Sequence, residues 1–259
     1  MNRIGITYKF IFHFLSAKNT HGFGVHSPYV FHFTKFVLEN KSSYYIFASI
    51  EKIRSSLKKD GRALDFVDFG TGRNRNITIA EIASRSLKTA KYGQLLYRLS
   101  NYIKAQNILE LGTSLGITTS YLASPSSGIR CVSLEGCPEV AMQAIENFRL
   151  LDIKNIQVVV GNIDTTLPQV VNDFGKLDLI FMDANHESQA VLSYFEAVLA
   201  KVHTDSVLVV DDIYWSSDME DAWRQIKDHP RVTTTIDLFQ LGIVFFNTDL
   251  YKNHYKMRY

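Results

Sequence analysis

The chain has 259 residues, 28 Lys and Arg against 26 Asp and Glu, and a hydrophobic content of 46%. That length and apolar content suit one α/β domain with extensions around a sizeable core, and a net charge of only +2 argues against a polyanion such as nucleic acid as partner. No window holds about 18 uninterrupted apolar residues, so no membrane span is expected, and the two cysteines, Cys131 and Cys137, read as thiols of a reducing cytoplasm rather than as a disulfide or a metal pair.

The first element, Ile4 to Leu15, is rich in large apolar residues. The stretch from Ser16 to His21 makes a poor signal-peptidase site, so we read a helix that docks on the domain or on a second subunit. Interfacial attachment to a membrane, helped by Lys9 and Lys18, is the lesser alternative. Glycines and the pair Ser27-Pro28 then break the chain, and Ser27 reads as the cap of a helix with Pro28 in its first turn. His21, His26 and His32 lack the spacing of a metal motif, and the aromatics around them read as packing or as pocket lining. Ile46, Phe47, Ile50, Ile53 and Leu57 recur at helical spacing. Leu64 to Gly70, with Gly72, is a second apolar stretch running into glycines. No acid-ended strand follows it, so we read a surface loop near the active site, with Arg73 and Arg75 solvated or meeting an anionic substrate, and then a short helix from Ile77 to Leu87. Leu95, Leu96, Leu99, Tyr102 and Ile103 share one face of a further helix.

The stretch that organises the chain is Asn107 to Gly116, an apolar run ending in a turn with Gly112 and Gly116, followed by a helix-compatible segment. Such a turn is how a parallel-sheet protein sets a nucleotide against a strand end. Glycines admit tight backbone geometry, Thr113, Ser114 and Thr118 offer hydroxyls, and the helix start offers unpaired N–H groups. Arg130 to Glu135 reads as the next strand, ending in a carboxylate placed for ribose hydroxyls, with Gly136 after it.

Glu110-Leu-Gly112-Thr-Ser-Leu-Gly116 resembles the first motif of class I S-adenosylmethionine-dependent methyltransferases, and Glu135 resembles their second-strand acid. Rossmann dehydrogenases share the architecture, but Ser114 stands where their middle glycine falls. The pair Gly93-Gln94 resembles the lead-in of the catechol O-methyltransferase-like branch, which makes Tyr92 and Gly93 neighbours of the methionine part. The resemblance covers residues 90 to 247. It implies S-adenosyl-L-methionine as cofactor, bound by Tyr92, Gly93, Glu110, Gly112, Thr113, Ser114, Gly116, Thr118, Glu135, Gly136, Asn162, Ile163 and Asp183.

From residue 107 onward strands and helices alternate, with strands near 107–112, 130–135, 156–161, 177–183 and 206–211, which implies a parallel sheet. Val232 to Phe239 and Gly242 to Asn247 are joined by only Gln240-Leu241 and must pair antiparallel. The implied fold is the α/β, Rossmann-like, seven-stranded methyltransferase sheet of order 3-2-1-4-5-7-6 with its last strand antiparallel, residues 90–259, preceded by an N-terminal helical extension, residues 1–89, that selects substrate.

Asn162 and Asp164 also suit a turn or cap after the third strand. Asp183 and His186 follow the fourth strand, and Asp211 and Asp212 end the fifth. Carboxylates brought close raise one another's pKa unless a cation neutralises them. The catechol-type pattern implies Asp183 and Asp211 as ligands of a divalent metal such as magnesium, with Asp212 in an asparagine position and His186 in place of a lysine. His186 is then base or ligand; other class I relatives also carry an Asp-x-x-His sequence, and the alternative this resemblance implies is that Asp183 and His186 bind substrate and cofactor directly. Asp183, His186 and Asp211 are the candidate catalytic residues, Tyr214 and Trp215 are core packing, a lid hinge or contacts to an aromatic acceptor, and the basic aromatic tail from Tyr251 docks on the domain or on a dimer partner. The expectation is O-methylation of a small molecule, with RNA or protein methylation and a non-catalytic cofactor-binding protein as alternatives.

Overall fold

The computed structural model describes residues 3–68 and 73–259. Its helices are α1 (Arg3–Ser16), α2 (Pro28–Phe33), α3 (Tyr45–Leu57), α4 (Ile79–Arg85), α5 (Ala90–Tyr102), α6 (Ile117–Ala123), α7 (Pro138–Leu150), α8 (Ile163–Asn172), α9 (Ser188–Leu199) and α10 (Ser217–Asp228). Its strands are β1 (Ala63–Asp68), β2 (Arg73–Thr78), β3 (Asn107–Leu111), β4 (Arg130–Glu135), β5 (Ile156–Val160), β6 (Leu177–Met182), β7 (Val202–Asp211), β8 (Thr234–Asp237), β9 (Leu241–Phe245) and β10 (Asn253–Lys256). The chain divides into two compact units, one of residues 41–173 and one of residues 1–40 with 174–259.

In the contiguous unit β3, β4 and β5 pair in parallel, β4 in the middle. The helical spacing of Ile46, Phe47, Ile50, Ile53 and Leu57 is realised in α3, which buries Phe47, Ile50 and Leu57. These join Ile79 and Ile82 of α4, Tyr97 of α5 and Ile117 and Tyr121 of α6 in one apolar cluster. Phe47 meets Tyr97 edge-on at 4.9 Å, a geometry aromatic rings favour. The surface loop expected at 64–75 is instead a hairpin: β1 and β2 pair antiparallel from Ala63↔Thr78 to Asp68↔Arg73. Gly70, Gly72 and the side chains of Arg73 and Arg75 lie outside the described residues. Thr78 then caps α4 in a reciprocal capping box with Glu81.

In the other unit β6 and β7 run parallel, β9 is antiparallel to β7 and β8, and β10 lies parallel beside β8. All six residues of β6 and all five of β9 are buried, as continuous apolar runs covered on both faces demand. The seven expected strands are therefore present, in the order 3-2-1 within one unit and 4-5-7-6 within the other, and the tail contributes an eighth. That strand buries Tyr255, and Met257 beyond it takes a hydrogen bond from the Thr34 hydroxyl at 3.7 Å. Ser27 caps α2 by accepting from the Val30 amide, with Pro28 in the first turn as expected. Gly242 of β9 lies under the Trp223 ring, where a Cβ would come within 2.6 Å of it. Gly242→Ala should therefore cost about 1–3 kcal/mol of stability by overpacking, read as a lower urea midpoint at unchanged slope.

Candidate cofactor and acceptor sites

The turn between β3 and α6 is built from left-handed backbone. Gly112 has φ 97°, Ser114 φ 47° and Gly116 φ 75°, conformations that non-glycine residues adopt only at a cost. A Cβ at Gly116 would come within 2.6 Å of the Phe148 ring, so the residue must be glycine for packing as well as for φ. Two amides, Gly112 N and Thr113 N, donate to the Leu134 carbonyl and tie the turn to β4.

Under the turn lies Glu110, fully buried. Its Oε2 accepts from Ser133 Oγ at 2.6 Å and from Thr119 Oγ1, while its Oε1 has no hydrogen-bond partner among the described residues. Burial pushes its pKa up to about 8, against the opposing effect of the two hydroxyl bonds, with the Glu135 charge adding to the rise. Thr113 Oγ1 and Ser133 Oγ lie 2.6 Å apart, so the Thr113 hydroxyl expected to face a ligand is engaged inside the protein. Ser133 and Thr119 were not among the expected site residues. Ser133 stands opposite Glu110 in the β3–β4 register, which period-two pairing alone would have shown.

Glu135 ends β4 as expected. Its carboxylate accepts from the Ser114 amide at 2.8 Å and from the Cys137 amide at 2.9 Å. Burial raises its pKa while the backbone amides of Cys137, Ser114 and Gly136 pull it back. Asn162 caps α8, its Oδ1 accepting from the Asp164 amide at 2.9 Å. Its amide nitrogen is the donor it offers a ligand, and Ile163 follows half-buried. Tyr92 and Gly93 are buried in α5, and a Cβ at Gly93 would come within 2.5 Å of the Tyr121 ring. Helix packing is thus a sufficient reason for that glycine. Thr118 is buried in the first turn of α6.

In the other unit, Asp183 directly follows β6 and Asp211 closes β7. Those strands pair with Met182 opposite Val210, so the two acids stand at adjacent strand ends. His186 is half-buried, its ring 5.7 Å from that of Trp215, which is 45% exposed. The set expected to hold a metal is not reproduced: among the described residues no three His, Cys, Asp or Glu side chains are grouped to hold an ion. Asp183, Asp211 and Asp212 therefore do not form a ligand set. Asp211 is a buried ladder residue opposite Leu241. Asp212 turns into left-handed backbone at φ 50°, its amide donating to Gln240 O and its carbonyl accepting from Trp215 N.

A polar node that the sequence did not suggest lies in the same unit. Asp237, buried on β8, accepts from Tyr214 Oη at 2.6 Å and from the Phe239 amide at 2.9 Å, and pairs with His13 Nε2 at 2.9 Å. Burial raises its pKa, but the His13 and Tyr214 hydrogen bonds outweigh that and hold the carboxyl below the usual range. Tyr214 also stacks on Phe239, its ring plane 16° from parallel, so it is core packing as well as a hydrogen-bond donor.

Comparison with known proteins gives a consistent answer. Residues 109–213 match a family model described as "Methyltransferase domain". The catechol O-methyltransferases of Mycobacterium tuberculosis and Niastella koreensis are each 32% identical to the chain, over 48% and 47% of its length. The match spans 56% and 55% of those relatives, so the chain covers little more than half of each. Among solved structures, the O-methyltransferase from Bacillus cereus in complex with SAH has a TM-score of 0.58 at 20% identity, covering 83% of this chain and 95% of that one. TomG from Streptomyces achromogenes, in complex with SAM, has a TM-score of 0.59 at 18% identity, covering 84% and 95%. Residues 109–213 are thus similar to a methyltransferase domain, and the chain shares the α/β fold of these O-methyltransferase structures.

The buried acid should leave its mark on the pH dependence of folding. Glu110 ionises near 4.5 when unfolded and only at about 8 when folded, so the native state binds more protons between those limits and its stability falls as pH rises through them. Glu110→Gln should flatten that dependence. The unfolding free energy of the parent, measured in urea, should fall relative to the variant by at most about 1.4 kcal/mol per pH unit.

Proposed function

We propose that the chain is an S-adenosyl-L-methionine-dependent methyltransferase that methylates a hydroxyl group of a small molecule. The observation that carries this reading is the left-handed turn 112–116, with the Glu135 carboxylate bonded to its Ser114 amide and the buried Glu110, whose Oε1 has no hydrogen-bond partner among the described residues, near the end of the strand before it. The residues present fit the cofactor. Glu135 is an acceptor for ribose hydroxyls, Asn162 and Ile163 are an amide donor and an apolar contact for a base, and Glu110 has one oxygen left for a cationic donor. When bound, the group supplies an electrophilic methyl on a sulfonium.

What the chain must then supply is alignment and one proton acceptor. In this reading Asp183, His186 and Asp211 serve the acceptor, with His186 taking the hydroxyl proton on a ring nitrogen. The half-exposed Trp215 beside it gives an aromatic acceptor a flat surface. Residues 1–89 are the part we assign to acceptor selection. Asp183, Asp211 and Asp212 do not fit a divalent ion as grouped.

Calorimetric titration with S-adenosylhomocysteine tests the cofactor. Glu135→Ala should weaken binding at least about tenfold, or 1.4 kcal/mol, and absence of binding by the parent would remove the methyltransferase reading. The acceptor side is tested with a panel of hydroxylated aromatic compounds and a labelled methyl donor. His186→Ala should keep S-adenosylhomocysteine affinity while kcat falls on the order of a hundredfold or more, the contribution expected of a general base.

A further inference from the structure

Helix α1 is apolar on two sides, and only one of them is used. At about 100° per residue, His13, Phe10 and Ala17 fall on one side of the helix. His13 and Ala17 are buried, His13 holds Asp237, and Phe10 sets its ring edge-on to Phe239 at 5.1 Å. Tyr8, Ile11 and Leu15 fall on the opposite side, with exposures of 72%, 52% and 72%, and Phe12 beside them is 61% exposed. A helix apolar all round is buried somewhere, and one stripe of this one is left open by the described residues.

The stripe's own segment carries only basic charge, with Lys9 on its inner side paired to Glu220 of α10. Residues 1–38 contain no Asp or Glu and four Lys and Arg. The Arg258 guanidinium lies 4.1 Å from the centre of the Phe14 ring, and Lys256 Nζ lies 5.9 Å from that of Phe12. Lys18 is exposed just past the helix. Two-fold pairing with a second copy through this stripe would set the same cations against themselves. An anionic bilayer surface complements both features: apolar and aromatic side chains enter the headgroup boundary, and each nearby cation adds attraction to acidic lipid. No helix among the described residues is long and apolar enough to cross a membrane, so the geometry is that of a helix lying in the interface. We propose that the outer stripe of α1, Tyr8, Ile11, Phe12 and Leu15, seats the protein on anionic lipid bilayers, with Lys18, Lys256 and Arg258 meeting the headgroups.

The full chain should co-sediment with vesicles of phosphatidylglycerol and phosphatidylcholine in equal parts at least about tenfold better than with phosphatidylcholine alone, and less well at high salt. Ile11→Ser with Leu15→Ser, both exposed, should keep the parent Tm and lose that binding at least about tenfold, while Arg258→Glu should narrow the difference between the two vesicle types. Equal partition into both vesicles would overturn the proposal. So would a dimer in sedimentation equilibrium that the double variant converts to monomer, since the stripe would then belong to a second copy.

Discussion

The carboxyl of Glu110 is buried beneath the glycine turn, and the way the protein satisfies it decides how the chain passes above. One oxygen collects Thr119 from α6 and Ser133 from β4, and Ser133 in turn meets Thr113 of the turn. Three segments are thus tied, directly or through Ser133, to one buried group on β3, and buried networks of this kind allow little variation in geometry. Glu135 then fixes the other side of the turn through the Ser114 and Cys137 amides. The left-handed residues between these anchors are held open instead of collapsing into a regular turn. A half-satisfied buried acid is a cost to folding, and such costs are characteristic of sites that gain their last partner from a ligand.

The unit of residues 1–40 and 174–259 has its own anchor in Asp237. His13 comes from α1, Tyr214 from the segment after β7 and the Phe239 amide from the turn after β8. The segment beyond Asp211 is therefore braced at Tyr214, immediately before the exposed Trp215, and Asp212 is locked at the other end by Gln240 and Trp215. The aromatic surface beside His186 is held by a polar clamp as well as by packing.

Much of this architecture is legible in the sequence because it rests on local periodicity. The β/α alternation from residue 107 and the antiparallel pair around Gln240-Leu241 both come from apolar runs and short connections. Glu110, Gly112, Gly116 and Glu135 are legible as a spacing. The hairpin at 63–78 is not, since glycines after an apolar run signal a turn equally well whether the next segment returns or leaves. Nor is the Asp237 node, because His13 and Asp237 are 224 residues apart and neither sits in a motif. The metal expectation rested on sequence adjacency, which put Asp211 and Asp212 together, and among the described residues no three such side chains are grouped to hold an ion.

The two units also differ in when they can form. Residues 41–173 are continuous, so every partner within that unit is available once those residues have been made. The other unit joins segments far apart in synthesis: Asn19 accepts from the Lys256 amide across 237 residues, and α1 waits for Asp237. On the ribosome the first 40 residues, with their apolar helix, must remain without their native neighbours until β8 to β10 emerge. Chaperone contact would therefore concentrate on that segment during translation.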